Sequence, residues 1–482
     1  MKENRGNIIL SGGKVIVFLA ILFLLLSGIQ KLLIKSTEHR GSDVVRGFYA
    51  EKENDIDVVF LGSSQMFCTA DPLVLYEEYG IASYDFGCSA QPFVSEYLYL
   101  KEVLRYQKPK VIGLEVVGIV KKADPDDLEV WTYAMTDLRF SVDKMTQLYQ
   151  MLESNREMYA MQMLPILQYK DRWKELTLED FDKSGVNYTK GAYTPDKITD
   201  NPLDFSAYYG SSGETIPDEN KEALAKIVAL CRENGIELFL FKGPNMGWTI
   251  TDTEQVEELA RQYDLPFVNY YDLLDELEVD PVLDFRDWSH FNRTGSRKAS
   301  LYLGQYLKDR YDLPDRRGED RENSWDIALR DRAHDRANEA LTRTQGLDAY
   351  LNLIPYTGHT VVFSFHGDTE KLQFYKQYLS TVLNLEEEKM TGNFSIVEEN
   401  GICPDDVLTE EDQRTERRLG TQILLRKKLE VTADGIWWDG RDVLLTDNGI
   451  TIWVYDNEWG QLVDQVGFAS DDVNTAIRPS EE

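Results

Sequence analysis

Histidine is scarce in this chain, with five among 482 residues, and cysteine is scarcer still at four. Cys68, Cys88, Cys231 and Cys403 stand far apart without a C-x-x-C or any other metal-ligand spacing. That pattern argues against a zinc cluster and a dense disulfide framework, and it leaves free or buried thiols, with Cys68–Cys88 as the one pair to consider. No metal and no cofactor is expected. Positive charge is also deficient: 52 Lys and Arg against 84 Asp and Glu give a net charge of -32. A phosphate-binding footprint has the opposite sign, so nucleic acid is not an expected partner. The chain carries neither internal repeats nor low-complexity tracts.

A hydrophobic fraction of 42% with 11% aromatics is enough for a packed core, and the length implies two or three domains. The run Val15 to Ile34, VIVFLAILFLLLSGIQKLLI, approaches the length of a bilayer span. It predicts a transmembrane signal anchor at 15–34 behind a cytoplasmic tail at 1–14, and localisation at the cell membrane as a single-pass protein. A cleaved signal peptide is the alternative. Basic residues flank the run on both sides, so the positive-inside rule does not set its orientation.

Farther along, short apolar strands alternate with amphipathic helices. Strands are predicted at Val58 to Leu61, Ala82 to Phe86, Lys110 to Val117, Ile236 to Phe241 and Pro266 to Asn269, with helices from Asp71 and at 96–105, 218–234, 253–263 and 294–310. Such alternation signals an α/β domain of three layers with a parallel sheet, spanning 49–313. A helical, aromatic-rich stretch at 124–201 interrupts the rhythm and reads as an insert. The stretch 314–338 is dense in both charge signs and reads as a linker or exposed helix. Residues 339–482 form a smaller α+β domain, with candidate strands at 360–365, 394–398, 422–426 and a hairpin of 450–455 with 461–468 that turns at Asp456 to Gly460.

A serine hydroxyl becomes a nucleophile near neutral pH only beside a base that a third group orients. Gly62-Ser63-Ser64, at the corner between the first strand and the helix after it, is a suitable mount, although Gly-Ser-Ser also serves as an ordinary cap. Two histidines follow an acid by three positions: Asp287-Trp288-Ser289-His290 and Asp331-Arg332-Ala333-His334. His290 sits among Phe285, Trp288 and Phe291 after the last strand, whereas charge surrounds His334, which reads as part of a solvated helix. Asp287 is therefore the expected orienting acid and His290 the base, with Asp284 as a competitor for the orienting place.

An early Gly-Ser-Ser, a glycine after the second strand in YDFGCSAQ and Asp-x-x-His after the last strand resemble the SGNH, or GDSL-like, hydrolase superfamily. More narrowly they resemble its branch of teichoic-acid D-alanylation and alginate or peptidoglycan O-acetylation proteins. The resemblance covers about 49–313. It implies Ser64 as nucleophile and an oxyanion hole built from Ser64, Gly87 and Asn245, with Trp248 lining the substrate site. The family's Gly-x-Asn-Asp block is missing here, where the sequence reads VIGLEVVGIV. The implied chemistry is a two-step acyl transfer through an acyl-Ser64, onto a hydroxyl of a cell-surface glycopolymer or, in an esterase, onto water. A multi-spanning membrane O-acyltransferase is the implied acyl donor, with the catalytic domain extracytoplasmic. In the insert, Tyr169, Arg172 and Trp173 suit the stacking and orienting of sugar rings, against the plainer reading of a helical layer on the sheet. A non-catalytic scaffold of a polymer-assembling complex is the alternative from a different class.

Overall fold

The computed structural model describes residues 14, 17–18, 21–22, 25–34, 41–177, 180, 187–319, 323–409, 413–421 and 426–479. Its contacts divide the chain into two compact units, Met1–Arg330 and Asp331–Glu482.

The first unit is built on five parallel strands, β1 Val58–Gly62, β2 Ser83–Gly87, β3 Val111–Glu115, β4 Glu237–Lys242 and β5 Phe267–Asn269, in the order β2-β1-β3-β4-β5. Strands β1 to β3 are buried along their whole length, as expected of a parallel sheet covered on both faces. Alternation along β1 sorts its side chains. Val59 and Leu61 join the core that holds Leu100, Val103, Leu224 and Ile227, and Val58 and Phe60 join the opposite core with Phe67, Ala299 and Leu303.

Helices cover the sheet, several of them starting at a side-chain cap. They are α1 Ser42–Ala50, α2 Ser64–Thr69, α3 Pro72–Tyr79, α4 Glu96–Tyr106, α5 Leu128–Met135, α6 Val142–Met151, α7 Arg156–Met163, α8 Ile166–Tyr169, α9 Asp218–Asn234, α10 Ile250–Tyr263, α11 Arg293–Arg310 and α12 Ser324–Arg343. Asp71 accepts the Leu73 and Val74 amides at 2.9 and 3.2 Å to start α3, and Thr249 with Asp252 forms a capping box on α10. Asn292 accepts the Thr294 and Gly295 amides at 3.0 and 3.2 Å to start α11, directly after His290 and Phe291. Helices α5 to α8 belong to the insert. Trp131, Leu148, Leu152 and Met158 from it are buried in the same core as Leu100 and Val103, so these helices extend a layer on the sheet.

Two expectations from the sequence are corrected. Among the described residues no helix is long and apolar enough to cross a membrane, so neither the single-pass anchor over Val15 to Ile34 nor localisation at the cell membrane is supported. The physical reason lies at the end of that run. Arg172 donates to the carbonyls of Leu32 and Leu33 at 3.2 and 3.1 Å, and Leu33 and Ile34 are buried against protein. With those residues docked and Gln30 and Lys31 before them, the apolar stretch left falls short of the roughly 20 residues a span needs. In the charged stretch read as a linker or exposed helix, a helix begins at Ser324 and the part before Asp331 is tied to the first unit. Arg316 clamps Asp57 through two hydrogen bonds of 2.8 and 2.9 Å, and Trp325 is fully buried with its indole N–H on the Ser83 carbonyl at 3.0 Å. All four cysteines are free thiols.

The second unit is antiparallel. One sheet has the order β14-β13-β12-β6-β7, from β6 His359–His366, β7 Phe394–Glu399, β12 Gly449–Asp456, β13 Gln461–Ala469 and β14 Asp472–Ile477. The other has the order β11-β10-β9-β8, from β8 Arg414–Leu419, β9 Lys427–Thr432, β10 Gly435–Trp438 and β11 Arg441–Asp442. Helices Leu347–Leu353 and Gln373–Leu383 complete the α+β composition. The hairpin turn is where the sequence put it: Asp456 accepts the amides of Glu458 and Trp459 at 2.9 Å each, and Gly460 takes a φ of 70°. The strand expected over Gln422 to Arg426 lies, apart from Arg426, outside the described residues. Trp438 packs against Trp453 and Tyr455 with ring centres 5.0 and 5.3 Å apart.

Candidate active site

Strand β1 delivers Ser64 through a turn that only glycine serves well. Gly62 has a φ of 152°, and a Cβ there would stand 2.6 Å from the Cβ of Glu115. Ser63 is extended and buried, and Ser64 opens α2 with its side chain half-buried at the cleft. The partner loop is pinned by a β-bridge between Phe285 and Phe291, whose buried rings meet at a tilt with centres 4.8 Å apart. Between them Asp287 accepts the backbone amides of Ser289 and His290 at 2.8 and 3.0 Å, which curls the loop into a tight turn.

The three expected residues converge. Ser64 Oγ lies 2.8 Å from His290 Nε2, and His290 Nδ1 lies 2.9 and 3.0 Å from the two carboxyl oxygens of Asp287. Burial opposes ionisation of Asp287, but the His290 hydrogen bond and charge, the Ser289 amide and Arg286 outweigh it and hold the carboxyl below its ordinary value. Arg286 Nε stands 3.3 Å from Asp287 Oδ2, and its guanidinium covers the Tyr193 ring. Asp284 is engaged elsewhere, by Lys298 and the Asp280 amide at 2.7 Å each.

Around the triad lies an open-sided cleft of about 380 Å³, lined by Ser64, Gln91, Lys121, Asn245, Trp288 and His290 among others. Asn245 is in place there: its Nδ2 donates to Ser289 Oγ at 2.8 Å and its Oδ1 accepts the Gly247 amide at 2.7 Å. The other expected site residues are elsewhere. Gly87 does not line the cleft; a Cβ there would stand 2.0 Å from the Gly62 carbonyl oxygen, so this glycine serves close strand packing. Trp248 is 1% exposed and donates to Thr253 at 2.8 Å, a core residue without access to a ligand. Arg172 is committed to Asp180 and the Leu32 and Leu33 carbonyls, and Trp173, though 63% exposed, does not line the cleft either.

No protein-family model and no curated protein matches the chain.

Several contributing residues are not among those the sequence motifs single out. Ser63 Oγ donates to Glu115 at 3.1 Å, and Gln65 Nε2 donates to the Ser289 carbonyl and, at 3.1 Å, to its hydroxyl. Residues 63, 64 and 65 are thus each tied across the cleft floor, with the Ser64–His290 contact in the middle. Behind them the fully buried Lys242 donates to the Gly243 carbonyl and lies 3.4 Å from Gln65 Oε1. Burial lowers its ammonium against the opposing pull of Glu115, and burial raises Glu115 against the pull of Lys242. The signal was a polar residue closing an apolar strand, Glu115 in VIGLE and Lys242 in ELFLFK, at the carboxyl ends of parallel strands where α/β sheets place their sites. Trp288, expected as packed rim, is instead 62% exposed at the mouth.

Proposed function

We propose that the first unit is a serine acyl-transfer enzyme of the SGNH kind, which moves an acyl group from an ester donor to a hydroxyl of a glycopolymer. The observation that carries the reading is the unbroken hydrogen-bond chain from Ser64 through His290 to Asp287 at the carboxyl end of β1. His290 takes the Ser64 proton as Oγ attacks the acyl carbonyl, then gives it to the departing alcohol, leaving an acyl-Ser64. The acceptor hydroxyl next yields its proton to His290 and attacks the acyl carbon, and Ser64 recovers its proton. Asp287 holds the imidazole in the tautomer that presents Nε2 to the serine.

Asn245 and the first-turn amides of α2 are the donors proposed for the oxyanion. Water as acceptor turns the same machinery into an esterase. An exposed indole beside the triad favours a bound sugar, because a flat apolar face at the mouth suits stacking on a pyranose. Labelling with a fluorophosphonate probe tests the reading: the enzyme is labelled and Ser64→Ala is not, whereas a non-catalytic scaffold takes up no label in either form. Acyl content of polysaccharide incubated with an acetyl ester and the enzyme then separates transfer from hydrolysis.

A further inference from the structure

A second and larger cavity, of about 740 Å³, adjoins the triad cleft, and Lys122 and Ala123 line both. Its walls come from three places in the sequence: Tyr97 on α4, Gln147 and Gln150 on α6 of the insert, and Glu222 and Lys226 on α9. At the junction the Lys122 ammonium stands 4.0 Å from Glu219. Acyl transfer itself needs only the space beside Ser64, and either cavity alone falls in the range that holds a drug-sized ligand. The larger one thus has no part in the chemistry described above.

Its lining suits a particular occupant. Two side-chain amides supply both donors and acceptors, Tyr97 supplies a half-buried ring face, and the charges, Lys122 and Lys226 against Glu153, Glu219 and Glu222, nearly cancel. In the triad cleft Lys121 and Lys122 are likewise answered by Asp124 and Asp127. A polymer bearing phosphates calls for a surplus of basic groups, which neither cavity has among the described residues.

We infer that the two cavities form one substrate groove, that the acceptor is a neutral polysaccharide chain and not a phosphate-bearing polymer, and that its units beyond the acylated one occupy the cleft between α4, α6 and α9. The inference rests on the acyl-transfer reading and names the acceptor class for it.

The test uses the full chain, p-nitrophenyl acetate as acyl donor, and as acceptors neutral gluco-, xylo- and chito-oligosaccharides of increasing length beside glycerol-phosphate oligomers. Acetylated acceptor is quantified by mass spectrometry. In at least one neutral series, acceptor kcat/KM is expected to rise roughly tenfold or more from the monosaccharide to the longer oligomers, with glycerol-phosphate oligomers no better than the monosaccharide. Gln147→Trp, which fills the second cleft, is expected to bring the long-to-short ratio back towards one. Because that ratio is taken within one protein, partial misfolding of the variant does not move it. Flat length dependence in every neutral series, a ratio untouched by Gln147→Trp, or preference for the phosphate oligomers overturns the inference. Absence of a Ser64-dependent burst with p-nitrophenyl acetate overturns the acyl-transfer reading itself, and the inference falls with it.

Discussion

The same four-residue pattern occurs in both units and folds to different ends. In Asp287-Trp-Ser-His290 the acid and the imidazole three positions on are each other's partners, because the Asp287 carboxyl first gathers two backbone amides and bends the loop until Nδ1 reaches it. In Asp331-Arg-Ala-His334 the pattern lies on a helix, and the carboxyl that meets His334 is that of Asp456, 2.7 Å from Nε2 and more than a hundred residues away. The sequence reading of His334 as a solvated residue is thus corrected. Its ring is stacked near Trp459 and His359, and Asn338 bridges His359 and Asp456 with bonds of 2.9 Å each. Spacing alone does not make a dyad; the backbone between the two residues decides which atoms face each other.

The largest effects separate the two histidines. Ser64→Ala and His290→Ala are expected to lower acyl-enzyme formation by roughly 10⁴-fold or more, and Asp287→Asn by about 10³- to 10⁴-fold. His334→Ala is expected to leave labelling by a fluorophosphonate at the parent rate. Equal loss in a folded His334→Ala protein breaks the comparison.

Stability is expected to divide the other way. Asp456→Ala strips the partner from His334, Asn338 and the amides of Glu458 and Trp459, at a cost of about 3–5 kcal/mol in the second unit by denaturant titration. An unchanged unfolding midpoint refutes a structural role for that network. Next in size, Gln65→Leu cuts the tie between the serine's neighbour and the histidine's neighbour, and kcat is expected to fall on the order of 10²-fold with KM little changed. A change confined to KM places Gln65 in substrate binding instead.

The smallest effect concerns a buried acid of the first unit. Asp85 is fully buried and, among the described residues, neither of its carboxyl oxygens has a hydrogen-bond partner. Burial, and then the charge of Asp71, raises it well above the ordinary carboxylate value of 3.8. A raised carboxyl keeps its proton in the folded state while the unfolded chain releases it. Its contribution is thus complete below about pH 3.8 and is lost as pH rises towards its folded value. Asp85→Asn is expected to raise stability at neutral pH and to flatten the decline by at most about 1.4 kcal/mol per pH unit, read from melts at several pH values. A steeper decline in the variant contradicts protonated burial.

Local signals made much of the first unit legible. The strands of its sheet announced themselves as short apolar runs, and their covering helices as helical patterns alternating with them. Ser64, Asp287, His290 and Asn245 stood beside a strand end, a turn or a helix start, where sequence chemistry and position coincide. Trp248, Arg172 and Trp173 were misplaced because an aromatic or cationic residue reads the same whether it faces a ligand or packs under a helix. Trp248 went to the core, and Arg172 went to the backbone carbonyls at the end of the apolar run.

By itself the sequence determined the period-two and helical patterns, the caps and the glycine turn at Gly62, all of which depend on neighbours a few positions apart. Only the tertiary structure decided that Lys242 and Glu115 lie beneath residues 63–65, that the insert walls a second cleft, and that His334 answers to Asp456. Those contacts join residues dozens to hundreds of positions apart. Burial then fixes their energetics, through desolvation that no local pattern encodes.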